Sequence, residues 1–78
     1  MFNIRVEYAL GATAKIINEE HKSLSYRLVN IFGQERLQAQ SKDQEINIDL
    51  SDLLSDAYLL IVTDQDSKMS HTFKLIKI

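Results

Sequence analysis

The sequence predicts an all-β fold, an immunoglobulin-like or fibronectin III-like sandwich of about seven short antiparallel strands. Apolar and polar residues alternate in several short segments, which is the side-chain period of a strand. These segments recur at roughly eight- to twelve-residue intervals and are separated by polar or glycine-containing turns. The rival interpretation, three helices, is disfavoured because the apolar period is two in these segments.

The N-terminal segment has the clearest strand pattern. Its apolar residues occupy every second position and therefore share one face. They are Phe2, Ile4, Val6 and Tyr8. Gly11 permits a turn, after which residues 14–18 predict a weaker second strand. The charged segment 18–23 predicts a loop.

The third and fourth strands are expected to form a hairpin around Gly33. The third strand carries Leu24, Tyr26 and Leu28 on one face and Val29 and Ile31 on the other. It is therefore predicted to lie centrally in a sheet and to be covered on both sides near its end. Gly33 supplies the permissive backbone for the reversal, and the returning strand places Leu37 and Ala39 inward.

A fifth strand, a corner and a sixth strand are expected next. Ile46, Ile48 and Leu50 alternate with polar residues. In the corner, Ser51 and Asp52 are expected to cap a single helical turn. Either Leu53 or Leu54 then plugs the end of the core. The sixth strand is predicted to be central, because both of its faces are apolar, with Tyr58, Leu60 and Val62 on one and Leu59 and Ile61 on the other.

The C-terminal segment predicts a turn and a closing strand. Residues 64–68 are polar and indicate a hairpin turn. Residues 70–78 form the last predicted strand, with Phe73 and Leu75 as expected core contacts. Seven strands result from this interpretation.

Composition limits the classes of function. The 78 residues are expected to form one domain, residues 1–78, with a core too small for a large catalytic cleft. No cysteine is present, which excludes disulfides, thiolate metal ligands and thiol nucleophiles. Nine Lys and Arg against eleven Asp and Glu give a net charge of −2 without a basic stripe, so nucleic acid is not an expected partner.

The chain shows no pattern for entering a membrane. The longest apolar run, residues 57–62, is far shorter than the roughly 20 residues that cross a bilayer, so membrane insertion is not expected. The first residues lack the charged head, apolar middle and cleavage site of a secretory signal. The chain as written is therefore not expected to direct its own export.

Metal sites and cofactors are not expected. The aspartates in or near turns could suggest calcium, but their spacing fits no EF-hand loop and turn formation explains them. They are Asp49, Asp52, Asp56, Asp64 and Asp66. His21 and His71 are far apart in sequence and lack the spacing of zinc ligands.

The sequence favours neither a catalytic triad nor a sugar-binding platform. Ser51 or Ser70 could nominally join a His and an Asp in a catalytic triad, but a triad is defined by geometry and such residues co-occur by chance. The tyrosines could form a sugar-stacking platform, but their inward phase favours core positions. They are Tyr8, Tyr26 and Tyr58.

Four segments together resemble a known family. VNIFGQE, residues 29–35, resembles a turn of tyrosine or valine, Asn, two apolar residues, Gly and Gln. IDLSDL, residues 48–53, resembles an Ile-Asp-Leu-Ser-x-Leu corner. Residues 57–63 are similar to a Gly, apolar, Tyr strand, and residues 73–77 to a basic and apolar terminus. In order and spacing, residues 12–77 resemble the C-terminal sorting domain of type IX secretion cargo, the Por secretion tail family of type A.

This resemblance implies a non-enzymatic sorting module. In the family, cargo on the N-terminal side crosses the inner membrane by a separate signal, and the outer-membrane translocon recognises the sandwich. A sortase-like surface protease usually removes it, and the cargo is attached to the surface or released. The location implied is the outer membrane, the cell surface or the extracellular space. The residues implied in partner recognition are Gly33, Gln34, Leu50, Ser51, Leu53, Lys74, Leu75, Ile76 and Lys77.

The chain departs from the family pattern at three places. The Pro-Asn-Pro segment expected near residues 8–10 is missing, because the chain contains no proline. Asp56 stands where the family has Gly before the Tyr strand, and Ser67 where it often has a turn Gly. Asp tolerates a positive φ better than most residues, so the fold is expected to survive the change at Asp56.

The strand edges are the expected binding surface, and two other classes of function are considered beside the sorting module. Exposed edge-strand backbone and the basic terminus are expected to dock to a partner by strand pairing and charge complementarity, and the edges could also pair two copies of the chain. A free-standing secreted adhesion or carbohydrate-binding module is the alternative function. A hydrolase is the third, and the small core disfavours it.

Overall fold

The computed structural model describes residues 3–9 and 13–78 of the chain. Their strands are β1 (Arg5–Ala9), β2 (Thr13–Ile17), β3 (Leu24–Asn30), β4 (Glu35–Ser41), β5 (Glu45–Asp49), β6 (Asp56–Asp64) and β7 (Ser70–Lys77). The predicted inward positions of Phe2 and of the Tyr8 side chain, and the turn at Gly11, lie outside the described residues.

The strands form two antiparallel sheets, which confirms the predicted sandwich. One sheet has the order β1-β2-β5 and the other β4-β3-β6-β7. The fourth strand therefore pairs with the third, unlike the fourth strand of an immunoglobulin constant domain, which joins the first, second and fifth strands. The predicted central strands β3 and β6 are central, and β7 lies at a sheet edge.

The core lies between the two inner sheet faces. Its buried side chains come from alternate positions of the strands, as the period of two predicted. They are Ala14, Ile16, Leu24, Leu28, Ile46, Ile48, Leu50, Tyr58, Leu60, Val62 and Leu75. Half-buried apolar residues close its margins, among them Tyr26, Leu37 and Phe73. With no disulfide, apolar burial is the main term that stabilises this small domain.

The prediction that both faces of β3 are buried near its end is only partly confirmed. Val29 is buried, but Ile31 lies beyond the strand end in the turn and is 61% exposed. On β6, Leu59 is also exposed. This outer face of the four-stranded sheet, turned away from the three-stranded sheet, has no second layer of strands among the described residues.

The corner between β5 and β6 differs from the prediction of a capped helical turn. Residues 50–53 form a tight turn, in which Leu53 N–H donates to the Leu50 carbonyl at 3.0 Å. The capping oxygen is Oδ1 of Asp49, which accepts from Ser51 N–H at 2.9 Å. A capping aspartate at the strand end thus replaces the predicted Ser51 and Asp52 caps. Leu53 packs on the core, so of the two candidate plugs it is Leu53 that fills this position.

Asp56 does not need the conformational freedom of a glycine. Among the described residues, the non-glycine positions with positive φ are His21 and Lys68. The polar turn between β6 and β7 accordingly has its left-handed residue at Lys68, with φ of 66°, one position after Ser67. Neither departure from the family glycines therefore coincides with a strained backbone position.

A buried carboxylate organises the turn between β6 and β7. Asp64 is almost fully buried, and its oxygens accept from Asp66 N–H at 3.0 Å and from the Ser67 hydroxyl at 3.1 Å. Lys22 Nζ lies 3.9 Å from Oδ2 of Asp64. Burial acts to raise the pKa of Asp64, but the two hydrogen-bonded groups and the Lys22 ammonium outweigh it and lower the pKa below its ordinary value of 3.8.

A matched pair of leucines tests the assignment of the hydrophobic core. Leu60 is completely buried on a central strand, whereas Leu54 is 81% exposed. Leu60→Ala is expected to lower the free energy of unfolding by about 2–5 kcal/mol. Leu54→Ala is expected to change it by no more than about 0.5 kcal/mol. Urea unfolding followed by circular dichroism measures both, and equal losses would contradict the assigned core.

The Asp64 prediction concerns acid stability. Because its pKa is lower in the folded chain, Asp64 adds stability that is fully present above its ordinary pKa of 3.8 and is lost as the pH falls through the folded value. Asp64→Asn is therefore expected to lower the urea midpoint of unfolding at pH 6. It is also expected to reduce the fall in this midpoint between pH 6 and acidic pH. Asp66→Asn makes the same charge change at an exposed carboxylate of this turn. An unchanged acid loss in Asp64→Asn would refute the role.

Candidate recognition surface at one end of the sandwich

The antiparallel register brings three of the four sequence motifs, namely the glycine turn, the corner and the terminal strand, to one end of the sandwich. Asn30, at the end of β3, pairs with Tyr58, and Tyr58 pairs with Leu75. Asp56, the first residue of β6, pairs with Lys77 at the end of β7. We name this end the Gly33 end and define it by residues 31–34, 50–55 and 74–78. The opposite end, the Asp64 end, comprises residues 18–23, 42–44 and 64–69.

The Asn30 side chain holds the turn between β3 and β4. Its Oδ1 accepts from Phe32 N–H at 2.9 Å and from Gln34 N–H at 3.0 Å. Its Nδ2 donates to Oε1 of Gln34 at 2.9 Å. The backbone adds bonds from Asn30 N–H to the Gln34 carbonyl and from Gly33 N–H to the Asn30 carbonyl, each 3.0 Å. The Asn-x-x-Gly-Gln pattern therefore specifies one self-contained turn.

Gly33 permits this turn through its backbone conformation. Its φ is +80°, in the left-handed region that favours glycine, and a Cβ there would meet no atom within 4 Å. The requirement at Gly33 is thus conformational and not steric. The turn projects the two apolar residues between Asn30 and Gly33 into solvent, since Ile31 is 61% and Phe32 79% exposed.

The corner contributes both core and exposed groups to the Gly33 end. Leu50 is only 2% exposed and belongs to the core, whereas Ser51 is exposed and Leu53 half-buried. Leu54 extends into solvent, and its carbonyl accepts from the Tyr58 hydroxyl at 2.7 Å. That bond satisfies a buried phenol and anchors the corner on β6.

The terminal strand divides its residues between two faces. Leu75 is 4% exposed and packs in the core, while Lys74 and Ile76 are exposed on the outer face. Lys77 is half-buried beside the start of β6. Of the nine predicted recognition residues, Leu50 and Leu75 are therefore core residues, which shape the surface without offering their side chains to a partner.

A groove on the outer face brings two predicted residues together. Its volume is about 310 Å³. It is lined by Val29, Ile31, Gly33, Ala57, Leu59 and Lys74, among others. We name it the outer groove. The register explains its composition, because Leu59 pairs with Val29 on one side and with Lys74 on the other. Gly33 and Lys74 thus border one depression although they are 41 positions apart in the chain.

Sequence reasoning missed three residues of this surface. Asn30 belongs to the family motif but is not among the predicted recognition residues, and the motif defines Ile31 and Phe32 only as apolar positions. An Asn three residues before a Gly is a recognisable signal, because Asn side chains cap nearby backbone N–H groups. The exposure of the intervening apolar pair follows from that cap.

The other candidate chemistries find little support in the geometry. Within residues 3–9 and 13–78, no group of three or more His, Cys, Asp or Glu residues could hold a metal ion. Ser51 lies at the Gly33 end, whereas His21 lies at the Asp64 end, and the Ser70 hydroxyl bonds that of Thr63 at 2.7 Å. Tyr58 is a core residue, and Tyr26 is half-buried. No helix in the described part of the chain is long and apolar enough to span a membrane.

The turn predicts a stability effect at Asn30. Asn30→Ala removes the acceptor of two backbone N–H groups beside a buried position, and the expected loss in free energy of unfolding is about 1–3 kcal/mol. Asn47→Ala, at an exposed position of β5, is the matched control and is expected to cost less than about 0.5 kcal/mol. Urea unfolding compares them, and an unaffected Asn30→Ala would contradict this role.

Comparison with known protein families identifies one family that matches the chain. Residues 2–77 match the family model described as a secretion system C-terminal sorting domain. The match includes the Gly33 turn, the corner and the terminal strand. A search of curated proteins gave no match. Because the matched region covers nearly the whole chain, the chain belongs to the family of C-terminal sorting domains of the type IX secretion system.

Proposed function

We propose that this domain is a non-enzymatic module that directs cargo on its N-terminal side through the outer-membrane translocon of the type IX system. The family provides a C-terminal signal for type IX secretion, and its cargo reaches the cell surface or the extracellular space. The proposal extends this to translocon recognition, removal by a sortase-like surface protease, and attachment or release of the cargo.

The observation that carries the proposal is the convergence of the family motifs at the Gly33 end. The Asn30 turn, the corner and the end of β7 come from distant parts of the sequence, yet strand register places them side by side. Gly33, Gln34, Ser51, Lys74 and Ile76 are exposed there. A translocon that binds this surface would recognise only the folded sandwich, because the surface does not exist in the unfolded chain.

The edge of β7 offers a second means of docking. β7 is the last strand of its sheet, so one side of its backbone has no neighbouring strand among residues 3–9 and 13–78. Residues 70–78 contain two lysines and no acidic residue, although the whole chain has a net charge of −2. An edge position in the sheet and positive charge together favour pairing with an acidic strand of a partner. Pairing of two copies through the same edge is the other arrangement that this edge permits.

Export of a reporter tests the proposal. The chain is fused to the C-terminus of a periplasm-targeted reporter in a host with a working type IX system. Truncation of residues 74–78 is unsuitable as the only variant, because it removes Leu75 from the core. The pair Lys74→Glu and Lys77→Glu instead changes the charge of β7, and the pair Lys42→Glu and Lys68→Glu makes the same change at the Asp64 end.

We expect surface delivery of the reporter with the unaltered domain and with the Asp64-end pair. The β7 pair is expected to reduce delivery at least about tenfold, while protease resistance shows that the domain is folded. Periplasmic retention of the unaltered, folded fusion would refute the sorting function. Equal delivery by both charge-changed pairs would refute the role of the β7 lysines.

A further inference from the structure

The exposed apolar side chains are distributed unevenly over the molecule. Seven large apolar residues are exposed in the described part of the chain. Six lie at the Gly33 end or on the adjoining outer face: Ile31, Phe32, Leu54, Leu59, Ile76 and Ile78. Met69 lies at the Asp64 end. Clustering of this kind marks an interaction site, whereas scattered exposed apolar residues need no explanation.

The outer groove is the concave part of this apolar surface. Its floor is apolar, because Val29, Ala57 and Leu59 face outward at neighbouring positions of β3 and β6. A volume of about 310 Å³ is at the lower end of the range for small-ligand pockets. It is enough for one large apolar side chain of a partner, and the groove is open to solvent on one side.

Lys74 is the charged residue that lines this groove. The ion pairs among the described residues use other cations: Arg5, Lys15, Lys22 and Arg27. The Lys74 ammonium therefore remains available for an anion from a partner. A nearby apolar floor lowers the local dielectric, so an ion pair at this border is stronger than one in open solvent.

We propose that the outer groove binds an extended segment of a secretion-system protein that carries an apolar residue and, two positions along, an acidic residue. In an extended chain, residues two positions apart point to the same side and lie roughly 7 Å from each other. The apolar side chain occupies the groove, and the carboxylate pairs with Lys74. This inference rests on the proposed sorting function and adds the chemistry of the partner's segment.

Blocked tripeptides test the chemistry with the whole 78-residue chain. N-acetyl-Leu-Ser-Asp-amide carries both groups, the Asn analogue lacks the charge, and the Ala analogue lacks the large side chain. Binding is followed by ¹H–¹⁵N NMR. We expect the Asp peptide to shift the amide signals of Gly33, Ala57, Leu59 and Lys74 with a low-millimolar Kd, which suits so small a ligand. The Asn and Ala analogues are expected to bind at least about threefold more weakly.

Variants of the chain assign the binding to these residues. Leu59→Ser is expected to abolish the shifts, whereas Ile61→Ser, two positions along on the same face, retains them. Lys74→Glu is expected to remove the preference for the Asp peptide over the Asn peptide, and Lys42→Glu to leave it unchanged. Equal binding of the Asp and Asn peptides to the unaltered chain, or no shifts at the groove up to about 20 mM peptide, would overturn the inference.

Reporter export separates this inference from the proposed function. With Leu59→Ser in the fusion, we expect delivery to fall at least about tenfold, and with Ile61→Ser to stay near that of the unaltered domain. Delivery of the Leu59→Ser fusion at the unaltered level would overturn the groove inference and leave the sorting function standing. Failure of the unaltered fusion would overturn the sorting function, while the peptide titration would still decide what the groove binds.

Discussion

The pairing of β3 with β6 is the constraint on which the rest of the structure depends. These two central strands pair over seven residues, from Leu24 with Asp64 to Asn30 with Tyr58. Their inward side chains supply Leu24, Leu28, Leu60 and Val62, all completely buried. The same register decides which loops become neighbours. A shift by one residue would turn the core side chains outward and separate the Asn30 turn from the corner.

Much of the fold could be predicted because a strand's period appears directly in the sequence. Alternation identified the strands, and the doubly apolar segments identified β3 and β6 as central. The corner could not be predicted correctly, since Asp49, Ser51 and Asp52 are all good caps. Only the structure shows that Asp49 takes this role and that the turn is not helical. The pairing of β4 with β3 could be predicted, because Gly33 allows the reversal of a hairpin, and the observed register confirms it.

The candidate site was less predictable than the fold, since a sequence motif does not separate residues that shape a surface from those that contact a partner. Leu50 and Leu75 occur in the recognisable motifs because the core requires them. Asn30 is needed to hold the turn, and Ile31 and Phe32 are displayed by it. Strand register brings the distant motifs together, and no single segment of the sequence specifies that register.

The outer edge of β7 also affects self-association of the protein. An open strand edge is a template for further strands, and chains that share one can polymerise side by side. Two copies aligned with Lys74 opposite its own counterpart place like charges directly across the new strand pair, which is unfavourable. The lysines of this strand therefore disfavour growth of a continuous intermolecular sheet in that register. A strand with an acidic residue opposite Lys74 would not meet this repulsion, so the edge distinguishes a second copy in that register from a strand of opposite charge.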